Sequence, residues 1–147
     1  MKRVMTLFCA VALISVWTNA ERIQVKPDKI PHLAQNQLKA YFPDATVVEA
    51  TKDKSKIKNN YEVVLSDGTK LEFDKDGNWL FVDRGGEPIP TRMIPGQVHM
   101  VLNKNFGEYK VIKMEKDEKR NSEITLSDGT KVFFDAFLKY VKTEPAQ

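Results

Sequence analysis

Asp74, Asp76 and Asn78 place three oxygen-bearing side chains within five residues, and oxygen is the ligand that calcium prefers. A complete calcium loop supplies about six or seven oxygens, including a bidentate acid farther along the chain. No such acid follows at the required spacing, because residues 79–82 continue as an apolar run. Asp and Asn around Gly77 also suit a tight turn, in which the glycine supplies a positive φ. The spacing therefore predicts a turn, and a small-ligand or calcium-binding module on these residues is kept as an alternative.

The other side chains that could support catalysis or bind a metal are scattered along the chain. His32 and His99 fall in two different predicted helices, whereas a structural zinc ion needs about four ligands, often with cysteines among them. No serine stands in the Gly-x-Ser-x-Gly arrangement of a hydrolase nucleophile. We therefore expect no catalytic residue and no cofactor. An envelope enzyme with an unrecognised site is kept as a further alternative.

Residues 1–20 have the order of charge and hydrophobicity that is typical of a secretory signal peptide. Two basic residues precede an apolar run over residues 4–17, and small residues end at Ala20. The run is shorter than the roughly 20 residues needed to span a bilayer, so no stable membrane anchor is expected after cleavage near Ala20. Cys9 is the only cysteine and leaves with this segment. We therefore expect a periplasmic or secreted protein without disulfides, stabilised by its hydrophobic core.

The charge balance argues against nucleic acid as a partner. Lys2 and Arg3 are two of the 23 basic side chains, and residues 1–20 hold no acid, so 21 basic and 20 acidic side chains remain in the exported part. Nucleic-acid-binding domains carry a strong positive excess, which is missing here. Alternating lysines between Lys52 and Lys58 are the strongest local charge feature, and we interpret them as a solvated hairpin tip.

The exported part contains an internal duplication. Residues 61–74 match residues 122–135 at an offset of 61, and both copies contain Ser-Asp-Gly-Thr-Lys. Upstream, Ile30 and Ile94, each followed by proline, match at an offset of 64. The three-residue difference falls in the polar stretch 54–60, as expected for a loop. Landmarks in the same order predict two tandem units of one fold.

Each unit is predicted to be a short helix followed by four strands. Apolar residues at three- and four-residue spacing indicate amphipathic helices that begin at Pro31 and Pro95. Alternating residues indicate a strand near 45–51 or 109–115, followed by two hairpins. The expected class is α+β, with two tandem α-β-β-β-β units in one antiparallel sheet and one helix per unit on one face. The predicted segments are a signal peptide over 1–20, a first unit over 21–83, a connector over 84–93 and a second unit over 94–147.

The hairpin register follows from keeping apolar side chains on one face. A three-residue loop ending at Gly68 pairs Val63 with Leu71 and puts the glycine in the left-handed position. Gly129 is expected to adopt the same left-handed conformation in the second unit. Continuing the alternation onto the next strand places Phe81 opposite Leu71.

These motifs together resemble a known family. They are an Ile-Pro pair, a short helix ending in Tyr-Phe-Pro-Asp-Ala, a strand, and a run from Tyr61 to Trp79 with two Asp-Gly turns. The pattern resembles the PepSY-like family of secreted bacterial proteins, whose fold is likened to β-lactamase inhibitor protein. The resemblance covers about residues 29–83 and, more loosely, 94–142. It implies a non-enzymatic periplasmic protein with two units sharing a curved sheet, and a role in binding or inhibiting a secreted partner.

The face of the sheet away from the helices is the remaining candidate for a functional surface. The predicted register alternates apolar and charged side chains there, which suits protein binding through a few apolar anchors in a polar rim. The candidate binding residues are Val64, Lys70, Leu80 and Val82 in the first unit, and Phe133, Lys139 and Val141 in the second. We expect a non-catalytic module that binds or inhibits another secreted or periplasmic protein or peptide.

Overall fold

The computed structural model describes residues 21–55 and 58–147, and the expected signal segment over 1–20 lies outside them. In this part of the chain nine strands form one antiparallel sheet, in which each strand pairs with the next one in the sequence. The strands are β1 (Arg22–Gln24), β2 (Val47–Asp53), β3 (Tyr61–Leu65), β4 (Lys70–Phe73), β5 (Trp79–Asp83), β6 (Val111–Lys116), β7 (Ser122–Leu126), β8 (Lys131–Phe134) and β9 (Tyr140–Glu144). The helices are α1 (His32–Tyr41) and α2 (Gly96–Phe106). The predicted α+β class and its two repeated units are confirmed, and the sheet is continuous.

The helices cover one face of this sheet and close a single hydrophobic core. A proline precedes each helix, where its missing N–H would have had no partner. The helix α1 buries Ala34 and Leu38, and α2 buries Val98 and Leu102 at the equivalent positions. Beneath them, directly paired residues form a buried row across six strands: Val63, Leu71, Val82, Met114, Ile124 and Val132.

The first hairpin of each unit has the predicted register. Val63 pairs with Leu71. Gly68 and Gly129 have φ angles of 86° and 89°, in the left-handed region that favours glycine. The backbone of the two copies is therefore alike at this turn, as the duplication predicts.

The prediction that Phe81 lies opposite Leu71 is wrong. A bulge in β5 leaves Leu80 as an extra residue, so Val82 pairs with Leu71 and Phe81 pairs with Glu72. One extra residue shifts the alternation and sends every following side chain to the other face. Val82 is therefore fully buried in the core rather than lying on the candidate binding surface.

The same bulge recurs in the second unit. Phe133 pairs with Lys142, which leaves Val141 as the extra residue of β9. Lys139 precedes the strand and lies in the turn, where its backbone N–H donates to Asp135 Oδ1 at 2.9 Å. The expectation that Lys139 lies on the sheet face is therefore wrong, whereas Val141 is exposed at the bulge.

The two units join where β5 pairs with β6. Val82 and Met114 face each other across this seam and are both fully buried, so the core continues from one unit into the next. The edge strands of the sheet are β9 and the short strand β1. The sequence pattern does not predict β1. Within residues 21–55 and 58–147, neither helix has the length and apolar character needed to cross a membrane.

Candidate functional site

The face of the sheet away from the helices, called the open face below, carries a row of directly paired residues across eight strands. The row consists of Thr51, Glu62, Glu72, Phe81, Glu115, Glu123, Phe133 and Lys142, and is called the central row. Successive side chains of a strand point to opposite faces, so the neighbours of these residues form the core. The central row therefore alternates acidic pairs with single phenylalanines along the middle of the sheet.

Glu62 and Glu72 lie directly opposite each other in the first unit. Like charges at such positions destabilise a sheet. Arg22 Nη1 lies 3.1 Å from Glu62 Oε1, and Asn60 Nδ2 donates to Glu72 Oε1 at 2.7 Å. Partial burial raises the pKa of Glu62 above its ordinary value, and although Arg22 opposes this, the negative charge of Glu72 adds to it. The two carboxylates therefore stay adjacent despite their mutual repulsion, because Arg22 and Asn60 bind them.

Glu115 and Glu123 form a second like-charged pair, in the other unit. Lysines on the neighbouring positions of the open face offset part of the repulsion. Lys131 Nζ lies 2.6 Å from Glu123 Oε1, and Lys113 Nζ lies 3.6 Å from Glu115 Oε2. These ion pairs are exposed to solvent, where each contributes only about 0–1 kcal/mol.

The two phenylalanines of the central row are half-buried and each lies beneath a lysine. Lys113 Nζ is 5.2 Å from the ring centroid of Phe81, and Lys142 Nζ is 4.7 Å from that of Phe133. Both distances are within the range of a cation–π interaction. Both lysine side chains are partly exposed, so the rings are covered on the open face by solvent-accessible cations.

Five of the candidate residues named from the sequence lie on this surface. Val64 and Lys70 pair with each other beside the central row, and Phe133 is part of the row. Leu80 and Val141 are the extra residues of the two equivalent bulges. Phe81 is the open-face aromatic residue that the predicted register missed, because a regular alternation assigns it to the core. The signal was present: it stands within four consecutive apolar residues, which cannot all alternate in a regular strand.

The Asp74 side chain organises the turn between β4 and β5. Its Oδ1 accepts hydrogen bonds from the backbone N–H groups of Asp76 and Asn78, both at 2.9 Å. Its Oδ2 accepts from Asn78 Nδ2 and Arg120 Nη2, both at 3.1 Å. Burial alone would raise the pKa of Asp74, but the hydrogen bonds from Asn78 and Arg120 hold it below its ordinary value. Both oxygens of this carboxylate are thus used within the protein, and the cation beside it is a guanidinium.

A groove of about 640 Å³ begins at this turn and continues onto the open face past Leu80 and Phe81. At its end Lys116 Nζ lies 3.8 Å from the centroid of the Trp79 ring. Burial lowers the pKa of Lys116, and the nearby positive charge of Arg120 lowers it further. The groove therefore combines exposed acids with partly desolvated cations at the seam of the two units.

The histidines lie where the sequence predicts, His32 in α1 and His99 in α2. The imidazole Nε2 of His99 forms a hydrogen bond of 3.0 Å with Asn103, one turn farther along the helix. Among residues 21–55 and 58–147, no group of three or more His, Cys, Asp or Glu side chains is placed to hold a metal ion.

Comparison with protein families gives one match that spans both units. The model of the PepSY-like family, provisionally described as beta-lactamase-inhibitor-like, matches residues 15–60 and 59–142. No curated protein matches the chain.

Three solved structures of similar sequence come from species of Bacteroides. A provisionally assigned periplasmic protein of the DUF2874 family from Bacteroides vulgatus is 28% identical, with a TM-score of 0.80 over 86% of this chain and 98% of that one. A protein from Bacteroides thetaiotaomicron, provisionally described as calcium-regulated and periplasmic, is 32% identical, with a TM-score of 0.76 over 84% of this chain and 96% of that one. A provisionally periplasmic protein of unknown function from Bacteroides vulgatus is 28% identical, with a TM-score of 0.76 over 84% and 98%.

Proposed function

Because the chain belongs to the PepSY-like family, we propose that it is a non-catalytic periplasmic module that binds another secreted or periplasmic protein or peptide through its open face. The observation that carries this proposal is the central row, in which Phe81 and Phe133 stand among four glutamates. Like-charged pairs weaken the isolated sheet, and a partner that neutralises them recovers that energy on binding.

The chemistry of the central row defines the partner surface that fits it. The glutamates suit basic side chains, and the two rings suit apolar or aromatic groups between them. Anchors of this kind carry most of the affinity of an interface, while the polar rim excludes water. The partner surface is therefore expected to be basic with an apolar centre. Inhibition of a secreted enzyme is the narrower form of the proposal, which the description of the family supports.

Periplasmic location is supported by the signal-like segment and by the relatives from Bacteroides, which are described as periplasmic. Cell fractionation combined with mass measurement tests it. The protein recovered from the periplasm is expected to begin at Glu21. Recovery of the full chain from the cytoplasm would contradict the proposal.

Site-specific crosslinking in the native periplasm tests the open face directly. A photo-reactive phenylalanine analogue replaces Phe81 or Phe133, and a third variant carries it at Phe137, which is 80% exposed in the turn before β9. We expect the same crosslinked partner from both positions of the central row and not from Phe137. Crosslinks from all three positions, or from Phe137 alone, would remove the open face as the binding surface.

Charge reversal supplies the second half of this test. Glu72→Lys combined with Glu115→Lys places cations at two positions of the central row. We expect the crosslink from Phe133 to fall at least about tenfold, since unfavourable charge contacts at an interface cost several kcal/mol. If the crosslinked partner is an enzyme, its turnover in the presence of wild-type protein decides whether binding also inhibits.

A calcium-binding role is the alternative that one specific observation favours, since the relative from Bacteroides thetaiotaomicron is described as calcium-regulated. Calcium at Asp74 would have to displace the guanidinium of Arg120. A ligand that binds only the folded state raises Tm. A rise with millimolar calcium, absent with magnesium and lost in Asp74→Asn, would favour this alternative. We expect no calcium-specific shift.

A further inference from the structure

The last strand of the sheet, β9, has an uncovered apolar flank. Between β9 and α2 lies a groove of about 440 Å³, lined by Met100, Val101, Phe106, Tyr140 and Thr143 with two polar residues of α2. Met100 is 70% exposed and Tyr140 is 50% exposed. Within the described part of the chain, β9 pairs only with β8, so its outer edge has no neighbouring strand. An unpaired strand edge is a template for binding another strand.

The first unit contains the strand edge that is equivalent to the outer edge of β9, and there the edge is paired with another strand. The repeat makes β5 the counterpart of β9, and β5 is covered by β6. Val82 pairs with Met114 there and both are completely buried, and Lys116 Nζ lies 3.8 Å from the ring centroid of Trp79. The counterparts of the covered residues are Thr143 and Tyr140, which remain partly or largely exposed. The pairing of β6 with β5 thus shows how a strand can cover the surface that is left open at β9.

We infer that β9 binds an extended segment of a partner protein whose side chains follow the pattern of β6. In the seam, Lys113 lies opposite Asp83 and Glu115 lies opposite Phe81. The counterparts of Asp83 and Phe81 are Glu144 and Lys142. The bound segment therefore has a basic residue opposite Glu144, an apolar residue directed into the groove, an acidic residue opposite Lys142, and a basic residue over the ring of Tyr140.

A second copy of the chain fits this edge poorly. The counterpart of β6 is β2, and its outer edge is already paired with β1. In the same register Glu49 of that copy would stand opposite Glu144, where the seam has an opposite-charge pair. Like charges directly across a strand pair are destabilising. Pairing of β9 with β9 of a second copy would match Lys142 with Glu144, but it would direct Thr143 rather than an apolar residue into the groove, so a foreign segment with an apolar residue there fits the edge better.

A peptide that copies residues 110–117 tests the inference on the full protein. A second peptide has the copies of Lys113 and Glu115 exchanged, so that composition is unchanged while both cross-strand charge pairs become repulsive. We expect the first peptide to bind about fivefold more tightly or better, since such pairs each contribute measurably to sheet stability. Hydrogen exchange is expected to slow at the amides of β9 and not at those of β1.

Exchanging the charges on the protein reverses the preference if the pairing is correct. The double variant Lys142→Glu with Glu144→Lys alters two side chains at the edge strand, and its unfolding curve checks that it folds. It is expected to prefer the exchanged peptide, whereas Val48→Ser, at an exposed position of β2 far from β9, is expected to bind as wild type does. Equal affinity for both peptides, no binding, or protection at β1 instead would overturn the inference. A dimer in solution with β9 already protected would overturn it too, because a second copy would then be the occupant.

Discussion

Arg120 Nη2 lies 3.1 Å from Asp74 Oδ2 and joins the β6–β7 turn of the second unit to the β4–β5 turn of the first. Asp74 is 8% exposed and also organises its own turn, so the guanidinium pairs with a carboxylate that cannot easily move away. Ion pairs of this kind are stronger than fully exposed ones because solvent screens them less. The contact therefore couples the two units beyond their shared strand pairing.

The stability contributed by Asp74 should depend on pH. Its pKa is lowered in the folded protein, so the contribution is present above the ordinary carboxyl range, near pH 4, and is lost as the pH falls through the folded-state pKa. Asp74→Asn removes the charge and the pairing with Arg120. We expect it to lower the free energy of unfolding by about 1–2 kcal/mol at pH 7, with the difference shrinking below about pH 4. Urea unfolding at several pH values measures this.

Asp135→Asn is the matched control, because Asp135 holds the equivalent turn in the second unit by accepting from the N–H groups of Phe137 and Lys139. The structure records no ion pair with Asp135 among the described residues. The control is expected to cost clearly less than Asp74→Asn. Equal losses would assign the effect to the turn rather than to Arg120.

Gly77 is required both by its backbone conformation and by the approach of α1. Its φ is 92°, and a Cβ there would lie 2.8 Å from the backbone N of Ala34. Gly68 has a similar φ of 86°, but a Cβ there would have no atom within 4 Å. We expect Gly68→Ala to lower the free energy of unfolding by about 1 kcal/mol and Gly77→Ala by about 3 kcal/mol, because only the second adds a steric clash. Thermal or urea unfolding measures both, and equal losses would show that α1 shifts freely.

Neutralising one member of the Glu62–Glu72 pair should stabilise the protein while weakening partner binding. Glu72→Gln removes the like charge but keeps an oxygen that can accept from Asn60 Nδ2. We expect the free energy of unfolding to rise by about 0.5 kcal/mol at pH 7. The gain should shrink as the pH falls through the raised pKa of Glu62, because a protonated Glu62 no longer repels a charge at position 72. A loss of stability at pH 7 would show that the pair is not repulsive.

Val82 follows the bulge in β5, whereas Val141 is the extra residue of the equivalent bulge in β9, and the two side chains have opposite environments. Val82 is fully buried at the seam, whereas Val141 is 56% exposed in β9. We expect Val82→Ala to lower the free energy of unfolding by about 2 kcal/mol, from lost burial and the cavity left behind. Val141→Ala should change it by less than about 0.5 kcal/mol. A similar loss in both variants would indicate that β9 is covered in solution.

The two units show which parts of the fold could be predicted from the sequence. Turn chemistry and alternation were sufficient to predict the strand register of the hairpins whose loops contain Gly68 and Gly129, because a short loop determines the register of the strands it joins. They were insufficient at Leu80, where an extra residue moved Phe81 to the open face and Val82 to the core. The position of a bulge depends on which side chain the neighbouring strand and helix can bury. Those neighbours are distant in the sequence, so a local pattern does not reveal it.

By itself, the sequence determined the α+β class, the duplication, and the alternation that gives the sheet a buried and an open face, because each depends on spacing within a short stretch of chain. Only the tertiary structure decided which residues share the central row, that Arg120 pairs with Asp74, and that the outer edge of β9 has no neighbouring strand within the described chain. These features join positions far apart in sequence. Their energies depend on distance and burial, which appear only once the units pack together.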